Sequence, residues 1–178
     1  MLRRTVLLLP LALPARAQAD PWAALAEGGV ALLRHALAPG TGDPPGMRLD
    51  DCSTQRNLSD AGREQARAIG AAFRARGIAS ADVATSAWCR AGETAALLGL
   101  GPVRHEPALD SFFGRAATQA ERDGMLALVA GWRGPGARVL VTHQVNVTLL
   151  TGIIPPSGGG VVLRPDQAGG FAQVGRLP

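Results

Sequence analysis

The sequence predicts an α/β fold built on a largely parallel central sheet. Three short segments with apolar centres, at residues 29–33, 82–85 and 138–142, have strand length. Segments with helical spacing separate them, and such alternation implies layered packing around parallel strands. All three runs end in polar residues: Arg34-His35, Ser86 and His143.

Gly29-Val30-Ala31-Leu32-Leu33 reads as the first buried strand. Residues 36–58 form a long connection in which Pro39-Gly40-Thr41-Gly42-Asp43-Pro44-Pro45-Gly46 is dense in breakers. A loop of that length in a compact domain is usually functional, for instance as a lid. Ser59 is the expected cap of a helix whose apolar face carries Ala66, Ile69 and Phe73 and which stops at Gly77. Asp82-Val83-Ala84-Thr85 is the second strand. Ser86 is the expected cap of the next helix, with Trp88, Ala91, Ala95 and Leu98 as its core stripe. A weak extended segment runs from Val103 to Leu109.

Residues 118–132 are helical by pattern, with Met125, Leu126, Val129 and Trp132 on one face. Gly134-Pro135-Gly136 breaks the chain. Arg138-Val139-Leu140-Val141-Thr142 is the clearest strand and leads into His143 and a short helix ending near Gly152. Residues 155–160 are a loop, and 161–163 with 171–174 read as a closing hairpin. No internal repeat or long linker divides residues 20–178, which are expected to form one domain.

The 178 residues are 47% hydrophobic and 18% charged, ordinary globular composition that excludes a disordered acidic or low-complexity chain. All 18 basic residues are Arg, so Schiff-base chemistry by a lysine is excluded. The net charge of +4 suggests nucleic acid until the N-terminus is considered. Arg3 and Arg4 precede an apolar run from Val6 to Leu13, and Ala17-Gln18-Ala19 supplies small residues for a signal peptidase. Residues 1–19 therefore read as a signal peptide cleaved after Ala19; the Arg3-Arg4 pair leaves both Sec and Tat routes open. Cleavage removes Arg3, Arg4 and Arg16, and 18 less three leaves 15 Arg against 14 acids. That near-neutral balance gives no reason to expect nucleic acid. No later stretch is long and apolar enough to span a bilayer. The expected location is periplasmic or secreted, where Cys52 and Cys89 are free to bridge or to remain packing thiols. Nothing in the sequence bears on oligomeric state.

In open α/β sheets, ligands sit beyond the carboxyl ends of the strands. Parallel strands would bring Arg34, His35, His143 and the Arg90 helix to that one edge. Two Arg, two His and two helix N-termini there make an oxyanion site, and a phosphoryl group is the ligand that Arg grips bidentately.

Four blocks then carry a family resemblance. Leu32-Leu33-Arg34-His35-Ala36 resembles the Arg-His-Gly signature of the histidine phosphatase superfamily, with Ala in place of Gly. Residues 55–66 are similar to that family's Leu-Ser/Thr-x-x-Gly-x-x-Gln-Ala helix start. Thr85 to Ala95 resembles its second-arginine motif, and Val139 to Gln144 the segment of its second histidine. The blocks occur in family order between Gly29 and Thr151. The resemblance implies a three-layer, phosphoglycerate mutase-like fold and a metal-free, cofactor-free phosphoryl transfer to a small-molecule phosphorylated substrate. His35 would be the nucleophile, and Arg34, Arg90 and His143 would bind the phosphoryl oxygens. Arg56 is a further candidate substrate contact. Asp110 is the candidate proton donor, with Asp43, Asp50 and Asp51 as rivals; Glu93 is expected to pair with Arg90. His105 lies outside the motifs and is expected to be surface or structural.

The blocks around Cys52 and Cys89 are most similar to small exported members, some of which act on envelope sugar phosphates. An exported phosphomonoesterase is therefore the leading expectation. A catalytically silent phosphate- or sugar-phosphate-binding module is the alternative. A metal hydrolase built on His35, His105 and His143 lacks the close ligand spacing that such centres use.

Overall fold

The computed structural model describes residues 20–178. The expected signal peptide, residues 1–19, lies outside the described residues.

The described residues form six strands, β1 (Val30–Arg34), β2 (Asp82–Thr85), β3 (Val103–His105), β4 (Arg138–Thr142), β5 (Gly160–Pro165) and β6 (Phe171–Leu177). They lie in one sheet in the order β3-β2-β4-β1-β5-β6. β3, β2, β4 and β1 are mutually parallel; β5 and β6 are antiparallel to their neighbours and close one side.

Among the described residues, five α-helices cover the sheet: α1 (Pro21–Ala26), α2 (Asp60–Ala75), α3 (Cys89–Leu98), α4 (Gln119–Ala130) and α5 (Gln144–Thr151). The strand period of two decides which helix packs where. Ala31 and Leu33 of β1 meet Leu25 of α1, Phe73 of α2 and Ala95 and Leu98 of α3 on one face. Val30 and Leu32 meet Met125 and Val129 of α4 and Val147 of α5 on the other. The expected three-layer fold is what forms. Among the described residues, no helix is long and apolar enough to cross a membrane.

Several boundaries differ from the sequence reading. The first strand starts at Val30 and extends to Arg34. The 103–109 segment is a strand only to His105; Pro107, which has no N–H for a ladder, starts a single 3-10 turn through Leu109. α4 ends at Ala130, so Trp132 lies beyond it, and Leu126 is exposed. The closing hairpin is longer than expected, with both strands extended.

α2 behaves as its sequence requires. Ser59 accepts a hydrogen bond from the Gly62 N–H at 3.1 Å. Gly62 also faces the chain leaving β1, where a Cβ would lie only 2.0 Å from the Leu37 carbonyl oxygen. A larger residue there would push α2 off the segment that carries His35.

Candidate active site

Strand register brings the expected residues level. Arg34 of β1 lies opposite Thr142 of β4, and Thr85 of β2 opposite Val141. The next residue along each strand is then His35, His143 and Ser86. Their backbones continue the ladder: the His35 N–H donates to Thr142 O at 2.9 Å, and the Ser86 N–H to Val141 O at 3.2 Å. Arg34, His35, Arg56, Arg90 and His143 line one cleft at this edge. Thr41, Ser111, Phe113 and the first two residues of α5 complete its wall. Of the site residues expected from the sequence, Asp110 alone is absent from that wall.

Ala36 takes the place of the signature glycine without strain. No non-glycine residue among those described has positive φ. Ala36 is buried, and its N–H donates to Thr94 Oγ of α3 at 3.0 Å. Thr94 in turn donates to the Arg90 carbonyl at 2.7 Å. The turn after His35 is thus tied to the helix of Arg90.

Both cleft histidines are buried, which favours their neutral form. The His35 Nδ1–H donates to the Ala36 carbonyl at 2.7 Å. Burial pushes the His35 pKa down to about 3; the bond to Ala36 opposes this, and the charges of Arg90, Arg56 and Arg34 add to it. His143 is lowered well below its ordinary value by burial and by Arg90. Its Nε2 is 2.8 Å from Ser86 Oγ, and its ring stands edge-on to His35 and Trp88 at centroid distances of 5.5 and 5.1 Å.

The three arginines are held separately. Arg34 Nη1 donates to Pro155 O at 3.1 Å. Arg56 donates from Nε to Gly42 O at 2.6 Å and from Nη1 to Ala38 O, so it shapes the 38–46 loop while lining the cleft. Arg90 is 2% exposed and pairs with Asp43. Burial and neighbouring arginines lower the pKa of Arg34 and Arg56. Among the described residues, Arg34 Nε, Arg90 Nε and His143 Nδ1 are buried without a hydrogen-bond partner. Buried polar groups are rarely left so; the two guanidinium N–H donors on one cleft match an oxygen-rich anion, and His143 Nδ1 adds a third donor when Ser86 donates to its Nε2.

Four expectations need correction. Glu93 does not hold Arg90; it accepts from Arg63 Nε of α2 at 2.6 Å. Arg90 turns the other way, to Asp43 on the loop. Asp110 is not among the residues that line the cleft, and its carboxylate is engaged elsewhere: Oδ1 accepts from the Ala87 N–H at 2.8 Å and lies 3.1 Å from His105 Nε2. It anchors the turn into α3. Ser86 does not cap α3; Trp88 occupies the cap position, and the Cys89 N–H is satisfied by Gln55 Oε1 at 2.9 Å. Trp88 is no simple core residue, since its indole N–H donates to Asp43 at 2.9 Å.

Sequence reasoning had Asp43 only as a rival proton donor, not as the partner of Arg90, and missed Trp88 and Gln55 as parts of the site's frame. The breaker-rich loop was the available signal for Asp43. Cys52 and Cys89 are bridged, with Cα atoms 5.7 Å apart. The bridge and Gln55 fasten the segment before α2 to the start of α3. Asp50 and Asp51, the other rival acids, engage Arg48 on the outer loop.

The sequence matches the family model of the histidine phosphatase superfamily (branch 1) over residues 30–134. No curated protein matches it. Solved structures share the fold. The protein histidine phosphatase SixA, solved with tungstate, has a TM-score of 0.61 at 17% identity, covering 84% of this chain and 96% of its own. The mycobacterial glucosyl-3-phosphoglycerate phosphatase, solved with VO3, has a TM-score of 0.61 at 16% identity, covering 82% and 96%. Phosphoglycerate mutase from Thermus thermophilus has a TM-score of 0.56 at 20% identity, covering 84% and 98%. The family match spans more than half of the chain and contains His35 and three of the cleft arginines: the protein belongs to the histidine phosphatase superfamily.

Proposed function

We propose that the protein is an exported phosphomonoesterase that works through a phosphohistidine on His35. One observation carries the reading: His35 and three arginines line a single cleft, with His143 beside them. With the proton on Nδ1, the His35 lone pair is on Nε2. That nitrogen attacks phosphorus, the P–O ester bond breaks, and the leaving oxygen takes a proton from water at the cleft mouth. A second water then attacks the phosphohistidine, giving its proton to the hydroxide left by the first; the P–N bond breaks, and phosphate and neutral His35 are released, with one water consumed overall. The arginines and His143 stabilise charge on the equatorial oxygens throughout. Arginine supplies charge that a metal would otherwise carry, so turnover should persist in a chelator.

Phe113, 59% exposed, presents an apolar ring at the cleft mouth beside uncharged Gly40, Thr41, Gly42 and Ser111. This rim suits the uncharged body of a sugar phosphate, and an envelope sugar phosphate is the first substrate to test. The disulfide supports export, because such bonds persist in oxidising compartments. Mature protein from the envelope should begin at Asp20; Met1 on the soluble protein would refute export.

The deciding experiment is hydrolysis across a panel of sugar, nucleotide, inositol and protein phosphates. A silent phosphate-binding module is favoured by one fact: among the described residues, no carboxylate lines the cleft. Phosphate binding without turnover of any panel member would establish that alternative.

A further inference from the structure

The Asp43–Arg90 pair has a consequence for how phosphate is held. Asp43 lies in the 38–46 loop, 47 residues from Arg90 in sequence. Its two carboxylate oxygens accept from Arg90 Nη1 at 2.5 Å and from Nη2 at 3.1 Å. Nη1 also donates to the Arg56 carbonyl at 3.4 Å. A guanidinium has five N–H donors in a rigid plane. Three are consumed by these contacts. Those remaining are Nε–H and the Nη2 hydrogen on the Nε side, which together form one parallel fork. Nε is one of the buried nitrogens without a partner.

We infer that Asp43 is a positioning residue, which fixes Arg90 by its far edge so that the Nε/Nη2 edge is the one that grips the phosphoryl group. The inference rests on the phosphoryl-binding reading above. Asp43 is not itself a member of the cleft wall, whereas Gly40, Thr41 and Gly42 of its loop are. The same carboxylate accepts from the Trp88 indole N–H, and the Trp88 ring stands against His143. One side chain therefore sets the orientation of Arg90 and braces the wall behind His143. The Arg90 side chain is buried and held by both Asp43 oxygens, so the guanidinium cannot swing freely between edges.

The sign of one substitution separates this idea from simple electrostatics. Asp43→Asn removes a negative charge beside an anion site, so Coulomb's law alone predicts tighter binding of phosphate. Positioning predicts the reverse, because an amide offers one acceptor oxygen where Arg90 uses two. The probe is inorganic phosphate, titrated by calorimetry into the wild-type protein, D43N, R90A and D43N/R90A.

The wild type should bind phosphate. Failure to do so would overturn the phosphoryl-binding reading and this inference with it. D43N should bind about tenfold to hundredfold more weakly, the scale of a lost charge-assisted bond. In the R90A background the same change should cost several-fold less than in the wild type, since the group it chiefly aims is gone and only the brace on Trp88 remains. Unchanged or tighter binding by D43N, or equal losses in both backgrounds, would overturn the inference while leaving the phosphoryl-binding reading intact. If D43N does not fold, the wild type decides. Arg90 Nε–H, observed by nitrogen-resolved NMR and assigned by its absence in R90K, should shift on phosphate addition. A resonance that stays fixed while phosphate binds would overturn the inference.

Discussion

His35 Nδ1 lies 2.7 Å from the carbonyl oxygen of its own neighbour, Ala36. A carbonyl only accepts, so the ring proton is on Nδ1 and the lone pair on Nε2. The bond also fixes the ring plane, since the backbone on both sides is held by β4 and by Thr94. A buried, neutral and oriented imidazole has what a nucleophile needs. Rapid alkaline quench in detergent with labelled substrate should trap a base-stable, acid-labile phosphoenzyme. His35→Ala should reduce the trapped label to background. Label that survives in the variant would move the nucleophile to another residue.

The pH dependence follows from the lowered pKa of His35, about 3, and of His143. Between about pH 6.5 and the folded values, the unfolded chain binds these protons and the folded protein does not. Stability therefore rises with pH across that window and is fully present above about pH 6.5. Each histidine contributes a slope of at most about 1.4 kcal/mol per pH unit. Burial pushes the Asp43 carboxyl up, but bonds from Arg90 and Trp88 outweigh this and hold it below its ordinary range. Its contribution is lost only at lower pH, as pH falls through that depressed value. Urea unfolding at pH 7 and pH 5 should show a lower midpoint at pH 5. The His35 ring signals should stay those of neutral imidazole at pH 5; an NMR titration centred near 6.5 would contradict the burial argument.

The Cys52–Cys89 bridge closes a loop of 37 residues in sequence separation. Loop-closure entropy at that length corresponds to about 4 kcal/mol. The double variant C52A/C89A should lose stability on that scale, read as a lower urea midpoint. Gln55 still spans the same gap, with Oε1 on the Cys89 N–H and Nε2 on Arg48 O. Turnover of the folded variant should therefore fall by less than about tenfold. An unchanged midpoint would show that the bridge constrains nothing.

The legible parts of this protein are those that local pattern decides. β1, β2 and β4 have apolar centres because they are buried on both faces, and Ser59 caps α2 through a bond within one turn. Arg34, His35, Arg90 and His143 converge because parallel strands end together, which the order of elements already implies. The illegible parts are partnerships made across the chain. Arg90 had Glu93 three residues away and Asp43 forty-seven away, and the distant carboxylate is the one that reaches it. Glu93 is on the helix face turned to Arg63 of α2. Trp88 fitted a core stripe by spacing, but it sits at the cap, where its indole N–H meets the loop. No local pattern encodes how a breaker-rich loop folds back.

Asp110 offers the sharpest contrast between sequence expectation and placement. As a proton donor it would matter most for substrates with poor leaving groups, which need protonation as the ester bond breaks. Its observed role is different: Oδ1 receives the Ala87 N–H and lies against His105, and its backbone oxygen accepts from Asn146. These contacts hold the turn between β2 and α3, and hence the base of the Arg90 helix. Asparagine retains a side-chain oxygen in the Oδ1 position and can keep the Ala87 bond. Asp110→Asn should therefore stay within about threefold of wild type for aryl and alkyl phosphates alike. Asp110→Ala leaves the Ala87 donor without that acceptor and should cost about 1–3 kcal/mol of stability. The measurement is kcat/KM over a series of phosphate esters of graded leaving-group pKa, beside unfolding of both variants. A D110N loss that steepens as the leaving group worsens would restore Asp110 as the acid and require the loop 110–114 to turn its carboxylate inward during turnover.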